Sequence, residues 1–267
     1  MTWGNALVFG FGLLIGSFVN VLIYRLPRMV IDEHPTDNVA PRYDLCWPAS
    51  HCPHCQTPLK VWHNIPLLSF VVLKGRCRFC NHAIGVQYPA IEMTTSLIWV
   101  LCTWHWGLNA TGFCWASFAT ALLALSVIDW QTTLLPDDLT QSLLWGGLIA
   151  SSLGWLPLPV QQSIWGAVIG YTSLWAVATA FERITGKQGM GAGDFKLLAA
   201  LGAWLGPLAL LPVVMLASLS GAVGGLVLKL THRLRDDGYV PFGPFLAVAG
   251  LVVAVIGIDV IAQWMGW

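Results

Sequence analysis

Charged side chains are missing from most of this chain, and their spacing restricts its fold more than any other feature. None occurs from Met1 to Tyr24, in the 36 residues from Met93 to Ile128, or in the 43 from Leu139 to Phe181. Leu197–Leu228 adds 32 more, and Gly238–Ile258 is a last interval. A membrane-spanning helix needs about 20 apolar residues. The first and last intervals therefore hold one crossing each, and the second and third hold two each. Only 10% of the 267 residues are charged and 56% are apolar, against about 25% charged in an ordinary soluble domain. A soluble globule cannot bury that apolar load, and disorder conflicts with the same composition. A net charge of zero excludes a strongly basic nucleic-acid binder. The chain is predicted to be an all-α, polytopic integral membrane protein that contacts the lipid bilayer and no nucleic acid.

The interval Leu197–Leu228 fits one long helix or two short ones. Basic residues decide, because they accumulate on the cytoplasmic side. Arg25, Arg28, Arg42, Lys60, Lys74, Arg76 and Arg78 lie in the first polar stretch, Arg183, Lys187 and Lys196 flank a second loop, and Lys229, Arg233 and Arg235 flank a third. Two crossings put all 13 on one face, and Pro207 and Pro212 offer a turn between them. The expectation is about eight transmembrane helices, with both termini outside and a cytoplasmic loop domain. Residues 1–24 form the first helix, 25–88 the cytoplasmic domain and 89–267 the rest of the membrane domain. The N-terminal run lacks a basic region before it and reads as a retained helix rather than a cleaved signal. No internal repeat is evident. Trp264 and Trp267 suit an interfacial belt.

Within the polar stretch, Cys52-Pro-His-Cys55 and Cys77-Arg-Phe-Cys80 form two C-x-x-C pairs 21 residues apart. Four thiolates so spaced are the pattern of a structural zinc site. A reducing cytoplasm disfavours disulfides there, and a metal supports a domain too small for a large core. A closed four-sulfur shell is not catalytic. His54 is a competing ligand, and Cys102 and Cys114 are expected to pack in or near the second and third helices.

Acidic residues at membrane depth are costly and commonly functional. Asp138, with Gln141 three residues on, reads as a capping box opening a helix, and Asp137 as solvated. Asp129 ends an apolar run at a helix C-terminus, where the macrodipole disfavours a carboxylate, so it reads as functional. Asp194 follows Gly189-Met-Gly191-Ala-Gly193 and opens a helix, where a cap role competes with catalysis. On the eight-helix topology Asp129 and Asp194 share a membrane face. Two carboxylates brought together there can share one proton, the arrangement for aspartic peptide hydrolysis. The sequence offers no convincing serine or cysteine triad, no H-E-x-x-H and no haem-attachment motif.

These residues are similar to those of a known family, the type IV prepilin leader peptidases, bifunctional inner-membrane aspartic enzymes of pilus and type II secretion systems. The resemblance runs through Gly16-Ser-Phe-Val-Asn-Val-Leu-Ile-Tyr-Arg-Leu-Pro27, the two C-x-x-C pairs, Asn64-Ile-Pro-Leu-Leu-Ser69 and Lys74-Gly-Arg-Cys-Arg78. It continues through Tyr88-Pro-Ala-Ile-Glu92, Asp129, Leu135-Pro-Asp137, Gly191-Ala-Gly-Asp194 and Pro241-Phe-Gly-Pro-Phe245. The Gly-x-Gly-Asp element is also similar to that of presenilin-like proteases. The resemblance implies that Asp129 and Asp194 are the catalytic pair, that prepilins or pseudopilins are cut at the cytoplasmic membrane surface, and that the new amine is N-methylated from S-adenosylmethionine. Glu92 is the candidate for contacting that amine or the cofactor, against a structural pairing with a nearby Arg or Lys. Gln87 and Ser96 stand where the family has Arg and Gly. Two other classes compete: a transporter or channel whose acids bind cations or protons, and a zinc-stabilised scaffold whose acids only cap helices.

Overall fold

The computed structural model describes residues 3–31, 43–187, 189–231 and 240–265. Its elements are helices α1 (Trp3–Ile31), α2 (Leu68–Val72), α3 (Gln87–Trp106), α4 (Ala110–Thr132), α5 (Asp137–Ser152), α6 (Val160–Thr185), α7 (Ala192–Leu205), α8 (Leu210–Leu230), α9 (Gly243–Ile256) and α10 (Ile258–Met265). Two isolated bridges, and no longer strand, occur among the described residues. Four segments are long and apolar enough to cross a membrane: Trp3–Ile31, Ala110–Thr132, Val160–Thr185 and Pro207–Leu230. The apolar helix Gly243–Ile256 is shorter. Arg42, Arg233, Arg235, Trp267 and the Trp264 side chain, which enter the topology and belt expectations, lie outside the described residues.

The chain divides into two compact units, Met1–Thr120 and Ala121–Trp267. In the first, α1 packs along α3. Gly12 and Gly16 make this possible. A Cβ on Gly12 would lie 2.7 Å from the Ser96 Cα, and one on Gly16 2.6 Å from the Glu92 Cα. Two glycines four apart clear a groove that a neighbouring helix can fill. Helix α1 runs on past the expected end at Tyr24 to Ile31. Arg25 is buried, and its guanidinium donates to the Asp44 and Pro48 carbonyls at 2.7 and 2.6 Å. A charge ends an apolar interval, but it does not end a helix when protein carbonyls solvate it. Helix α3 stops at Gly107 (φ 92). The Asn109 side chain then accepts the Gly112 N–H at 3.1 Å, capping α4.

In the second unit the interval 197–228 does break in two. Gly206, at φ 82, and Pro207 end α7 and start the turn into α8, while Pro212 sits inside α8. Helix α7 is the core of this unit. Leu197, Leu198, Ala200, Leu201 and Ala203 are fully buried, and α7 packs on α5, α6 and α9. A helix apolar on every side is stable only when surrounded. Gly166 of α6 and Gly202 of α7 meet backbone to backbone, so neither position has room for a Cβ.

Candidate active site and metal centre

Asp129 lies in the last turn of α4 and is 4% exposed. Its own helix offers it a negative terminus, yet its Oδ2 accepts the backbone N–H of Gly243 at 3.0 Å. Gly243 is the first residue of α9, so the positive end of α9 offsets the unfavourable end of α4. Asp194 is 3% exposed and sits in the first turn of α7. The two carboxylates lie within electrostatic reach of each other. Leu135 stands beside Gly193 and Gly243. A Cβ on Gly193 would lie 2.7 Å from the Leu135 Cβ, and one on Gly243 would lie 3.4 Å from its Cδ1 and 2.6 Å from the Asp129 Oδ2.

Two cap expectations are corrected. Asp138 is not an N-cap: α5 begins at Asp137, Pro136 is the cap residue, and no side chain caps the helix. A capping box needs its acid in the extended residue before the helix, and here proline occupies that place. Asp194 is likewise not an N-cap but the third helical residue after Gly191, and its backbone N–H donates to the Gly191 carbonyl at 3.2 Å. Asp137 is exposed, as expected, and also ion-paired with Lys196 at 2.6 Å.

In the first unit the sulfurs of Cys52, Cys55, Cys77 and Cys80 all lie within 4.8 Å of one another and could hold a metal ion. Cys52 and Cys80 are 3.9 Å apart at sulfur, close to the roughly 3.8 Å edge of a tetrahedron with Zn–S bonds of about 2.3 Å. The loops around the two pairs share one geometry. The Gln56 N–H donates to the Cys52 carbonyl, and the Asn81 N–H to that of Cys77. Gln56 and Asn81 both adopt positive φ, 57° and 56°. His51 bridges Pro58, as Arg76 bridges Ala83. The sequence suggested no repeat because only two residues in four are shared; the structure contains a repeated knuckle. The Cys55 thiol is lowered to about 6, first by the Thr57 hydroxyl. For Cys80 a backbone bond to His82 pulls down, but burial and the other three sulfurs outweigh it and push it up to about 11. His54 stacks on His82, with ring centroids 4.3 Å apart, and is not in the sulfur group.

Glu92, one turn into α3, is buried, and its Oε2 accepts the Leu67 N–H at 2.8 Å. The Ser17 hydroxyl is a second partner. No Arg or Lys pairs with it among the described residues. Leu67 holds φ 56, so Glu92 fixes a strained turn of the loop against α3.

The bacterial peptidase A24 N-terminal domain model matches residues 10–106, and the type IV leader peptidase family model matches residues 116–226. The chain belongs to the type IV leader peptidase family. A prepilin leader peptidase/N-methyltransferase of Aeromonas salmonicida is 46% identical over 97% of this chain and 92% of its own. Proteins of the same name from Stutzerimonas stutzeri and Dickeya chrysanthemi are 40% and 45% identical, covering 95% and 92% of this chain and 91% of each relative. No solved structure matches the chain.

Against the family pattern, the Ser96 departure has a physical explanation. Ser96 is fully buried at the α1–α3 crossing, opposite Gly12, and its hydroxyl donates to the Phe9 carbonyl at 2.7 Å. The partner helix supplies both the space and the acceptor. Two residues carry no site signal of their own in the sequence: Gly243, bonded to Asp129, and Leu135, which packs against Gly193 and Gly243. The run Pro241–Phe245 marked the position of Gly243, but nothing local in the sequence pairs it with Asp129, 114 residues away.

Proposed function

We propose that this protein removes the basic leader peptide from type IV prepilins or type II secretion pseudopilins and then N-methylates the exposed amine. The family membership and the names of its relatives support both activities. The observation that carries the peptidase assignment is the buried Asp129–Asp194 pair, contributed by α4 and α7. Two buried carboxylates within electrostatic reach of each other favour holding one proton between them. The ionised member deprotonates a water that attacks the scissile carbonyl. The protonated member donates to the carbonyl oxygen and passes its proton to the leaving amine. The Gly243 N–H, bonded to Asp129 Oδ2, orients one oxygen of the pair.

Cys52, Cys55, Cys77 and Cys80 hold a structural Zn²⁺, a role their sulfur-only donor set suits. S-adenosylmethionine supplies an electrophilic methyl group, and Glu92 contacts the cofactor or the acceptor amine. The protein works in the bacterial inner membrane, with residues 25–88 and the carboxylate pair at the cytoplasmic side. Residues 1–24 and 89–267 supply the membrane part.

One prepilin peptide, incubated with the purified protein in detergent and analysed by mass, separates leader loss from gain of a methyl. Asp129→Asn and Asp194→Asn should each lower cleavage by at least about a hundredfold, with zinc content and helicity unchanged. Normal processing by either variant would defeat the assignment.

A further inference from the structure

Between Lys60 and Lys74 lie 13 residues without a charge, Val61–Leu73. A run of that length is too short to span a bilayer and suits a re-entrant or interfacial segment. The fold turns an apolar face of this run outward. Leu68, Val71 and Val72, at i, i+3 and i+4, share one side of α2 and are 56–69% exposed. Trp62 is 74% exposed. Its carbonyl accepts the Ser69 hydroxyl at 3.1 Å, which ties the turn Val61–His63 to α2. Apolar surface of this kind marks contact with a protein or with a membrane.

Depth decides between the two. Leu67, the residue before α2, donates its N–H to Glu92, and Glu92 packs on Gly16 of α1. Gly16 lies eight residues before Tyr24, the end of the first charge-free interval. At about 1.5 Å per helical residue, the turn at Leu67 therefore sits roughly 12 Å inside that boundary. Leu14, two residues deeper, lines a recess together with Ile65 and Pro66. Leu14 also belongs to an exposed apolar stripe on α1, formed by Trp3, Leu7, Phe11, Leu14 and Phe18 at spacings of three and four. The loop thus adjoins the side of α1 that suits lipid. Non-helical backbone is tolerated at membrane depth only where protein satisfies it. Here the His63, Leu67, Leu68 and Ser69 N–H groups meet the Lys60 carbonyl, the Glu92 carboxylate, and the Pro66 and Ile65 carbonyls.

Resting on the cytoplasmic placement of residues 25–88, we propose that Val61–Leu73 is a re-entrant segment whose Trp62 and α2 face lies among the acyl chains of the cytoplasmic leaflet, with Lys60 and Lys74 at the lipid phosphates. Charge and topology agree with this. No acid occurs between Asp44 and Glu92, while Lys60, Lys74, Arg76 and Arg78 all do. Lys60 and Lys74 are both exposed, and anionic headgroups attract such flanks. The two C-x-x-C knuckles stand on either side of the segment, and their sulfurs converge within 4.8 Å. Its two ends are thereby brought together, as a segment that enters and leaves through one membrane face requires. The segment is a membrane element additional to residues 1–24 and 89–267.

The test replaces Leu68, in the full-length protein, with a diazirine-bearing leucine analogue and reconstitutes the protein in vesicles of phosphatidylethanolamine and phosphatidylglycerol. A second variant carries the analogue in place of Leu7, on the α1 stripe. After illumination, mass analysis should find phospholipid adducts at position 68 in a yield within about threefold of that at position 7, since both side chains meet the same hydrocarbon. An impermeant amine reagent should modify Lys60 and Lys74 in inverted inner-membrane vesicles and leave them unmodified in spheroplasts. Quenching by water at position 68, with lipid adducts at position 7, would overturn the proposal and leave the cytoplasmic placement standing. Adducts from position 68 to residues 121–267, to a second copy or to an added prepilin would do the same, because a protein would then cover the face. Lysines that react from neither side would lie below the phosphates and would also overturn it. Lysines that react in spheroplasts alone would overturn the cytoplasmic placement and, with it, the leaflet assigned here.

Discussion

Asp129 illustrates why a residue that looks misplaced in its own helix need not be. The C-terminal turn of α4 repels it, but the N–H of Gly243 from α9 receives it. Gly243 is glycine because a Cβ there would overlap the carboxylate at 2.6 Å. Gly243→Ala should therefore lower leader cleavage at least about tenfold, measured on a prepilin peptide, without loss of zinc. The glycines before Asp194 are not equivalent. A Cβ on Gly191 meets nothing within 4 Å, whereas one on Gly193 collides with Leu135. Gly191→Ala should keep near-parental cleavage. Gly193→Ala should lose most of it, and the double variant Gly193→Ala/Leu135→Ala should recover part by vacating the contact. Additive loss in that double-mutant cycle would exclude the steric explanation.

At the scale of elements, the knuckle loops and the α1–α3 pair depend on different forces. The knuckles contain little apolar core, so a metal at the four sulfurs would be their main support. Metal binding needs thiolates and so competes with protons. Cys55 stays ionised down to about pH 6, while Cys80, pushed up to about 11, must release its proton on loading. Zinc content should thus fall as pH drops below neutrality, read by metal analysis after dialysis at each pH. A chelator should make the segment 50–84 susceptible to proteolysis. The α1–α3 contact relies on close backbone approach instead. Gly12→Val would force the Ser96 backbone away, costing about 1–3 kcal/mol of overpacking and lowering the thermal midpoint in detergent.

For the molecule as a whole, the residues proposed for the two activities fall in different units. Met1–Thr120 contains the sulfur cluster and Glu92; Ala121–Trp267 contains both aspartates. Variants should therefore separate the activities. On an already processed prepilin, Asp129→Asn should methylate at the parental rate, and Glu92→Gln should lose most methyl gain while still cutting the leader. Mass analysis of a single peptide reads both. Loss of methylation of the processed peptide by Asp129→Asn would mean that one site serves both reactions.

The charge-free intervals by themselves determined that the protein is helical and apolar enough to cross a membrane, because the cost of burying charge in lipid is paid residue by residue. The break in Leu197–Leu228 and the tetracysteine cluster were also readable, the first from the placement of basic residues with Pro207 as a possible turn and the second because C-x-x-C spacing acts locally. The length of α1 was not, because Arg25 finds its carbonyl partners 19 and 23 residues later. Nor were the caps of α5 and α7, where one residue of register decides which atom meets which N–H. Only the tertiary structure paired Asp129 with Gly243 and left the buried Asn20 oxygen without a hydrogen-bond partner among the described residues. Those facts depend on chain segments brought together by packing, and no local pattern encodes a distance between distant segments.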